Sequence, residues 1–149
     1  HTRYPLVTGV QTCALPISGK WLRTHANKND IIGTNNICKP RVDCPSGGQT
    51  PIAAWSGLRS YIEAERFITG RRVDEILINE LAPRGFPSWL LERQSLLVDF
   101  ASDQNSDMKA RLRDEGVRWI WLDLRIEGSR LTSDENVRFR SGPIVLIEL

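Results

Sequence analysis

The chain has 149 residues, 40% of them apolar, with 20 Lys+Arg against 18 Asp+Glu, 3 Cys and 5 Trp; the length fits one domain and the composition is too apolar for intrinsic disorder. A formal net charge of +2 excludes a nucleic-acid or acidic-lipid partner held mainly through phosphates, since such binding needs clustered surplus cations. No apolar run nears the roughly 20 residues of a membrane helix, and no repeat, heptad pattern or low-complexity tract is present.

Residues 1–18, HTRYPLVTGVQTCALPIS, have neither an amphipathic period nor the charged-then-apolar order of a signal sequence. Val7 to Ile17 is similar to the codon-by-codon translation of the oligonucleotide adapter used in short-read sequencing, and Ser18 fits the junction. His1, Thr2 and Arg3 resemble the outer part of the same oligonucleotide in the same frame, with Tyr4, Pro5 and Leu6 filling the space of its index. The resemblance implies a non-native segment over 1–18, left out of fold reasoning, and a natural chain over 19–149 that has lost its own start. His25, Cys38 and Cys44 are then the remaining histidine and cysteines.

Trp21-Leu22-Arg23 with Thr24, His25 and Asn27 reads as the last turns of a helix, and Asp30-Ile31-Ile32-Gly33-Thr34 as a short buried strand. Asn35 to Pro51 is rich in Asn, Pro, Gly and Ser without a period, hence a loop. Ile52 to Leu58 reads as a short helix ended by Gly57, and Arg59 to Ile68 contains a β-rich run broken by Glu63-Ala64-Glu65. Val73, Ile76, Leu77 and Leu81 recur at helical spacing before the turn Pro83-Arg84-Gly85-Phe86-Pro87. Ser88 can cap a helix to about Ala101, whose Trp89, Leu90, Leu96, Leu97, Phe100 and Ala101 form one broad apolar stripe. Ser106 can cap the next, with Asp107 in its first turn, Met108 and Leu112 on one face and Gly116 at C′. Val117 to Leu124, VRWIWLDL, is apolar on both alternating faces apart from Arg118 and Asp123, as in a strand covered on both sides. Val137 to Arg140, then Ser141-Gly142-Pro143, then Ile144 to Leu149 read as an antiparallel hairpin with Arg138 and Arg140 toward water. The predicted architecture is α/β: a small, mostly parallel sheet flanked by helices and closed by that hairpin.

Candidate chemistry is sparse. Cys38 and Cys44 could form a disulfide, half a metal site, or two free thiols; a zinc site needs about four ligands, and His25 has no partner at ligand spacing. Asp123 stands where ligands bind in open α/β sheets, or else it ends its strand and pairs with Arg125 or Arg118. Gly33-Thr34-Asn35-Asn36 follows a strand as a phosphate-binding turn would, without the glycine pattern or lysine of one. Glu63 and Glu65 beside Arg66 read as a solvated charge cluster, and with one histidine the usual nucleophile-base pairs lack material. The Trp residues read as packing, except Trp55 beside the Gly/Pro loop. Thr34, Asn35, Trp55 and Asp123 are therefore the ligand-site candidates, with no catalytic, cofactor-binding or metal residue assigned.

Four segments share a further likeness. Trp21-Leu22-Arg23-Thr24 before Asp30 to Asn35 and Cys38, then Ser60-Tyr61-Ile62-Glu63, then Arg113 to Asp123, and lastly Arg138 to Gly142 with Glu148-Leu149, follow one another in a characteristic order. That order resembles the C-terminal extracytoplasmic domain of large bacterial multi-pass membrane proteins related to the glycosyltransferases of the GT-C type, which use polyprenyl-phosphate sugars. Asn27-Lys28-Asn29, Ala64 and Pro143-Ile144 depart from the family's usual residues. The resemblance implies a non-catalytic domain of a glycosyltransferase-like parent, on the extracytoplasmic side of a bacterial cell membrane, with Lys20 just outside the bilayer. It also implies an oxidising space around Cys38 and Cys44, catalytic residues upstream of this piece, and a lipid-linked sugar or acceptor glycan as partner. The contrasting expectation is a stand-alone soluble α/β enzyme or small-ligand-binding protein with a site near Thr34 and Asp123.

Overall fold

A computed structural model describes residues 16–36, 51–62 and 88–149. In chain order these form α1 (residues 16–25), β1 (Ile31–Thr34), α2 (Pro51–Ser56), β2 (Arg59–Ser60), α3 (Ser88–Ser102), α4 (Ser106–Asp114), β3 (Val117–Asp123), β4 (Val137–Ser141) and β5 (Ile144–Glu148). The strands make one sheet in the order β2-β1-β3-β5-β4. The α/β class, the flanking helices and the C-terminal hairpin agree with the sequence reading. The predominance of parallel pairing does not: β1 runs parallel to β2 and β3, but β5 is antiparallel to both β3 and β4, so the sheet is mixed. The reason is local. A hairpin turning at Gly142 (φ +57) needs no crossover, and it seats β5 on β3 with Val145 opposite Leu122.

β3 is central, and every residue of it except Arg118 is buried. Its alternation feeds two cores. Ile120 and Leu122 join Leu90, Leu97, Phe100 and Leu112 under α3 and α4, while Trp119 and Trp121 join Leu22, Ile52 and Leu58 under α1 and α2. Val117 lies in the first core with Ile120 although three positions separate them. A β-bulge explains this: Ile31 faces Val117 but the next residue, Ile32, faces Trp119, so Arg118 is the extra residue and the parity shifts. Arg118 then turns outward and donates to the Leu149 carbonyl (2.9 Å).

On the α1 side, each buried indole N–H finds an acceptor. Trp121 donates to Ser18 Oγ (3.0 Å) in the first turn of α1, and Trp119 to Asp30 Oδ2 (2.9 Å) just before β1, so α1 and the turn that follows it satisfy the two rings of β3. Trp21 meets Trp119 edge-on at 5.7 Å. On the other side, Gln104 at the end of α3 donates to the Phe100 and Arg130 carbonyls and accepts from the Thr132 amide, and Arg130 donates to the Ala101 and Ser102 carbonyls. The loop after β3 thus closes the carboxyl end of α3.

Two local expectations change. Asn105, not Ser106, caps α4: its backbone is extended and its Oδ1 accepts from the Met108 amide (2.9 Å). Trp89 leaves the apolar stripe of α3 and is 50% exposed, whereas Leu90 and Leu91 beside it are fully buried. A helix has about 3.6 residues per turn, so the buried arc centred on Leu90, Leu97 and Ala101 leaves Trp89 at its edge. Gly116 (φ +87) sits after α4 as predicted.

Two measurements check this packing. A Cβ at Gly33 would lie 2.7 Å from Leu97 Cδ2 and 3.0 Å from Ile120 Cδ1, so Gly33→Ala should lower stability in urea unfolding by about 1–3 kcal/mol. Glu148 accepts from Arg138 Nε (2.8 Å) and Arg118 Nη2 (2.6 Å); the Arg138 hydrogen bond first, then that of Arg118, holds its carboxyl below the usual range against opposing burial. A carboxyl depressed in the folded state adds stability that is complete above the unfolded value and lost as pH falls through the folded one. Glu148→Gln should therefore be less stable than the parent at neutral pH, and the difference should shrink as the medium is acidified.

Candidate functional site

The two ends of the parallel strands are built differently. At the carboxyl end, β1 runs into Asn35, whose amide bridges to β3: Oδ1 accepts from the Asp123 amide (2.8 Å), and Nδ2 donates to the Asp123 carbonyl (2.9 Å) and Ser129 Oγ (2.7 Å). The Asp123 carboxylate is buried and accepts a fork from Arg125, Nε to Oδ1 at 2.9 Å and Nη2 to Oδ2 at 2.7 Å, together with the Arg125 amide (3.0 Å). Thr34 Oγ1 accepts from the Asn36 amide (3.0 Å), a local turn bond. Thr34, Asn35 and Asp123 are thus brought together, and Asp123 takes the ion-pair role with Arg125; Arg118 pairs with Glu148 instead. Trp55 is elsewhere. It is 47% exposed on α2, so close to α1 that a Cβ at Gly19 would fall 2.5 Å from its own Cβ.

At the amino end lies a cavity of about 240 Å³ lined by Ile31, Arg59, Ser60, Tyr61, Trp89, Arg93 and Glu115. Each wall has a sequence origin: Arg59 to Tyr61 leave β2, Trp89 and Arg93 are one helical turn apart on α3, and Glu115 is the C-cap of α4. The Tyr61 hydroxyl donates to Glu115 Oε2, and the Arg93 Nε is 3.5 Å from the same oxygen. Arg93 also donates to the Tyr61 carbonyl (3.1 Å), and its guanidinium lies 4.8 Å from the Tyr61 ring centre and 5.1 Å from that of Trp89. Burial first, and then the bond to the Glu115 carboxylate, hold the Tyr61 hydroxyl protonated well above the ordinary tyrosine range. Tyr61 serves this cluster as a donor and not as a base.

Cys38, Cys44, Glu63, Glu65, Arg66, the helical pattern from Val73 to Leu81 and the turn from Pro83 to Pro87 lie outside the described residues. His25 is stacked on Trp21 with ring centres 4.0 Å apart, its Nδ1 2.8 Å from the Trp21 carbonyl oxygen. Among the described residues no group of three or more His, Cys, Asp or Glu could hold a metal ion, and no helix is long and apolar enough to cross a membrane. The chain matches no family model, no curated protein and no solved structure.

Arg59, Trp89 and Arg93 had no place among the sequence candidates. The spacing of Trp89 and Arg93 by four residues was the available signal, since that step stacks a cation on an aromatic ring along a helix. The convergence of Tyr61 and Glu115 had none, because 54 residues separate them.

The Asn35 bridge can be measured directly. Asn35→Ala removes the partners of a buried amide and carbonyl at Asp123, so urea unfolding should show a loss of about 2–4 kcal/mol, a buried unsatisfied group costing roughly 1–3 kcal/mol. A loss under about 0.5 kcal/mol would mean that water replaces the amide there.

Proposed function

We propose that this chain is a non-catalytic extracytoplasmic C-terminal domain of a bacterial membrane protein of the glycosyltransferase-like class that its segments resemble. The observation that carries the reading is where those segments go. Asp30 to Asn35 forms β1, Arg113 to Asp123 leads into and forms β3, and Arg138 to Gly142 forms β4 and its turn. The most distinctive polar residues among them, Asn35 and Asp123, are engaged with each other's strands and with Arg125. The likeness therefore falls on groups that hold a fold together, which suits a supporting domain whose parent, a transferase or not, keeps its chemistry upstream.

In this reading α1 links the domain to the parent transmembrane region, with Lys20 just outside the bilayer, and the domain helps to dock a lipid-linked sugar or an acceptor glycan. Cys38 and Cys44 lie in an oxidising space and form a disulfide.

Long-read sequencing of the genomic locus tests it. Upstream of Gly19, in frame, several apolar runs of about 20 residues should precede the codon for Lys20. A start codon close to Gly19 with no such run would overturn the reading. Thiol titration of the exported protein should find Cys38 and Cys44 unreactive until reduced; two reactive thiols would remove the disulfide.

A further inference from the structure

We propose that the cavity at the amino ends of β1 and β2 is a binding site for a hexuronic acid, a single hydroxylated ring carrying one carboxylate. This does not rest on the family reading. It rests on three groups around one space of about 240 Å³, below the roughly 300–1,000 Å³ of sites for drug-sized ligands and so suited to one ring.

The first group is Arg59. It is exposed at the cavity, and it makes no hydrogen bond or ion pair with any described residue, so none of those residues competes with a carboxylate for its two-pronged guanidinium. The second is Trp89, whose indole is 50% exposed although its neighbours Leu90 and Leu91 are fully buried; Arg93 covers one face of the ring, which leaves the other as an apolar face for the C–H side of a sugar. The third is Glu115. Its Oε2 serves Tyr61 and Arg93, which leaves Oε1 to accept from a ring hydroxyl.

The wall residues are already bonded to one another before any ligand arrives. Arg93 is held by Glu115, by the Tyr61 carbonyl and by contacts over the Tyr61 and Trp89 rings, and Tyr61 is held by Glu115. Little side-chain entropy remains to be lost there on binding. Among the described lining residues two guanidinium groups face one committed carboxylate, a cationic balance that favours an acid over a neutral sugar.

The test titrates glucuronate into the full chain and follows the Trp89 indole N–H by two-dimensional NMR, the peak being assigned by its loss in Trp89→Phe. Glucuronate should shift that peak saturably in the millimolar range, and glucuronate methyl ester and glucose should bind about tenfold more weakly or worse. Arg59→Ala, a change at an exposed side chain, should weaken glucuronate by a similar factor with the rest of the spectrum unchanged. The proposal is overturned if glucuronate gives no saturable shift, if the ester binds as well as the acid, if acetate alone binds as well as glucuronate, or if Arg59→Ala binds like the parent.

Discussion

The structure depends on the double burial of β3. It has a strand on each side and helices over both faces, so its backbone is paired in both directions and its side chains enter two separate cores. That arrangement demands large apolar residues on both faces and an acceptor for each polar atom they carry. Trp119 and Trp121 meet the first demand and create the second, since each indole brings one N–H into the interior. Ser18 answers it from the first turn of α1 and Asp30 from the turn between α1 and β1, so the position of that helix is tied to the sheet by a hydrogen bond as well as by packing around Leu22.

The bulge at Arg118 follows from the same constraint. A seven-residue strand of strict alternation would place Val117 with the tryptophans. The extra residue turns Val117 toward Leu112 and sends Arg118 outward, where with Arg138 it neutralises Glu148 and donates to the Leu149 carbonyl. At the two ends of the parallel strands, polar groups are used in different ways. Beyond the carboxyl ends, Asn35, Asp123, Arg125 and Ser129 bond to one another and close the sheet. Before the amino ends, Tyr61, Glu115 and Arg93 make a braced wall around an open space, with Arg59 and Trp89 still exposed at its margin.

Much of the fold was legible in the chain. VRWIWLDL reads as a strand buried on both sides because six of its eight residues are apolar and they fall on both alternating faces. Gly57, Gly116 and Gly142 mark real turns with positive φ because other side chains pay a steric cost there. The parallel character was misjudged because pattern reports which face a residue occupies and says nothing of strand direction; β5 would look the same in either sense. Trp89 was misjudged because hydrophobicity reports a preference for burial, and a residue at the edge of a helical stripe is divided between core and solvent by its neighbours. The end of β3 was half legible: proximity in sequence pointed to Arg125 as a partner of Asp123, but nothing local could pair Asn35 with a residue 88 positions away.

The amino-acid sequence alone therefore determined the class of the fold, its doubly buried strand, the helices among the described residues, its hairpin and the near-neutral charge that excludes a phosphate-driven partner. These depend on interactions within one or two turns or on the sum of charges. Tertiary structure decided strand direction, the mixed sheet, the clamp at Asn35 and the cavity walled by Arg59, Tyr61, Trp89, Arg93 and Glu115. Those features join residues far apart in the chain, and the pairing of distant groups is set by how the layers pack and not by any pattern a single segment carries.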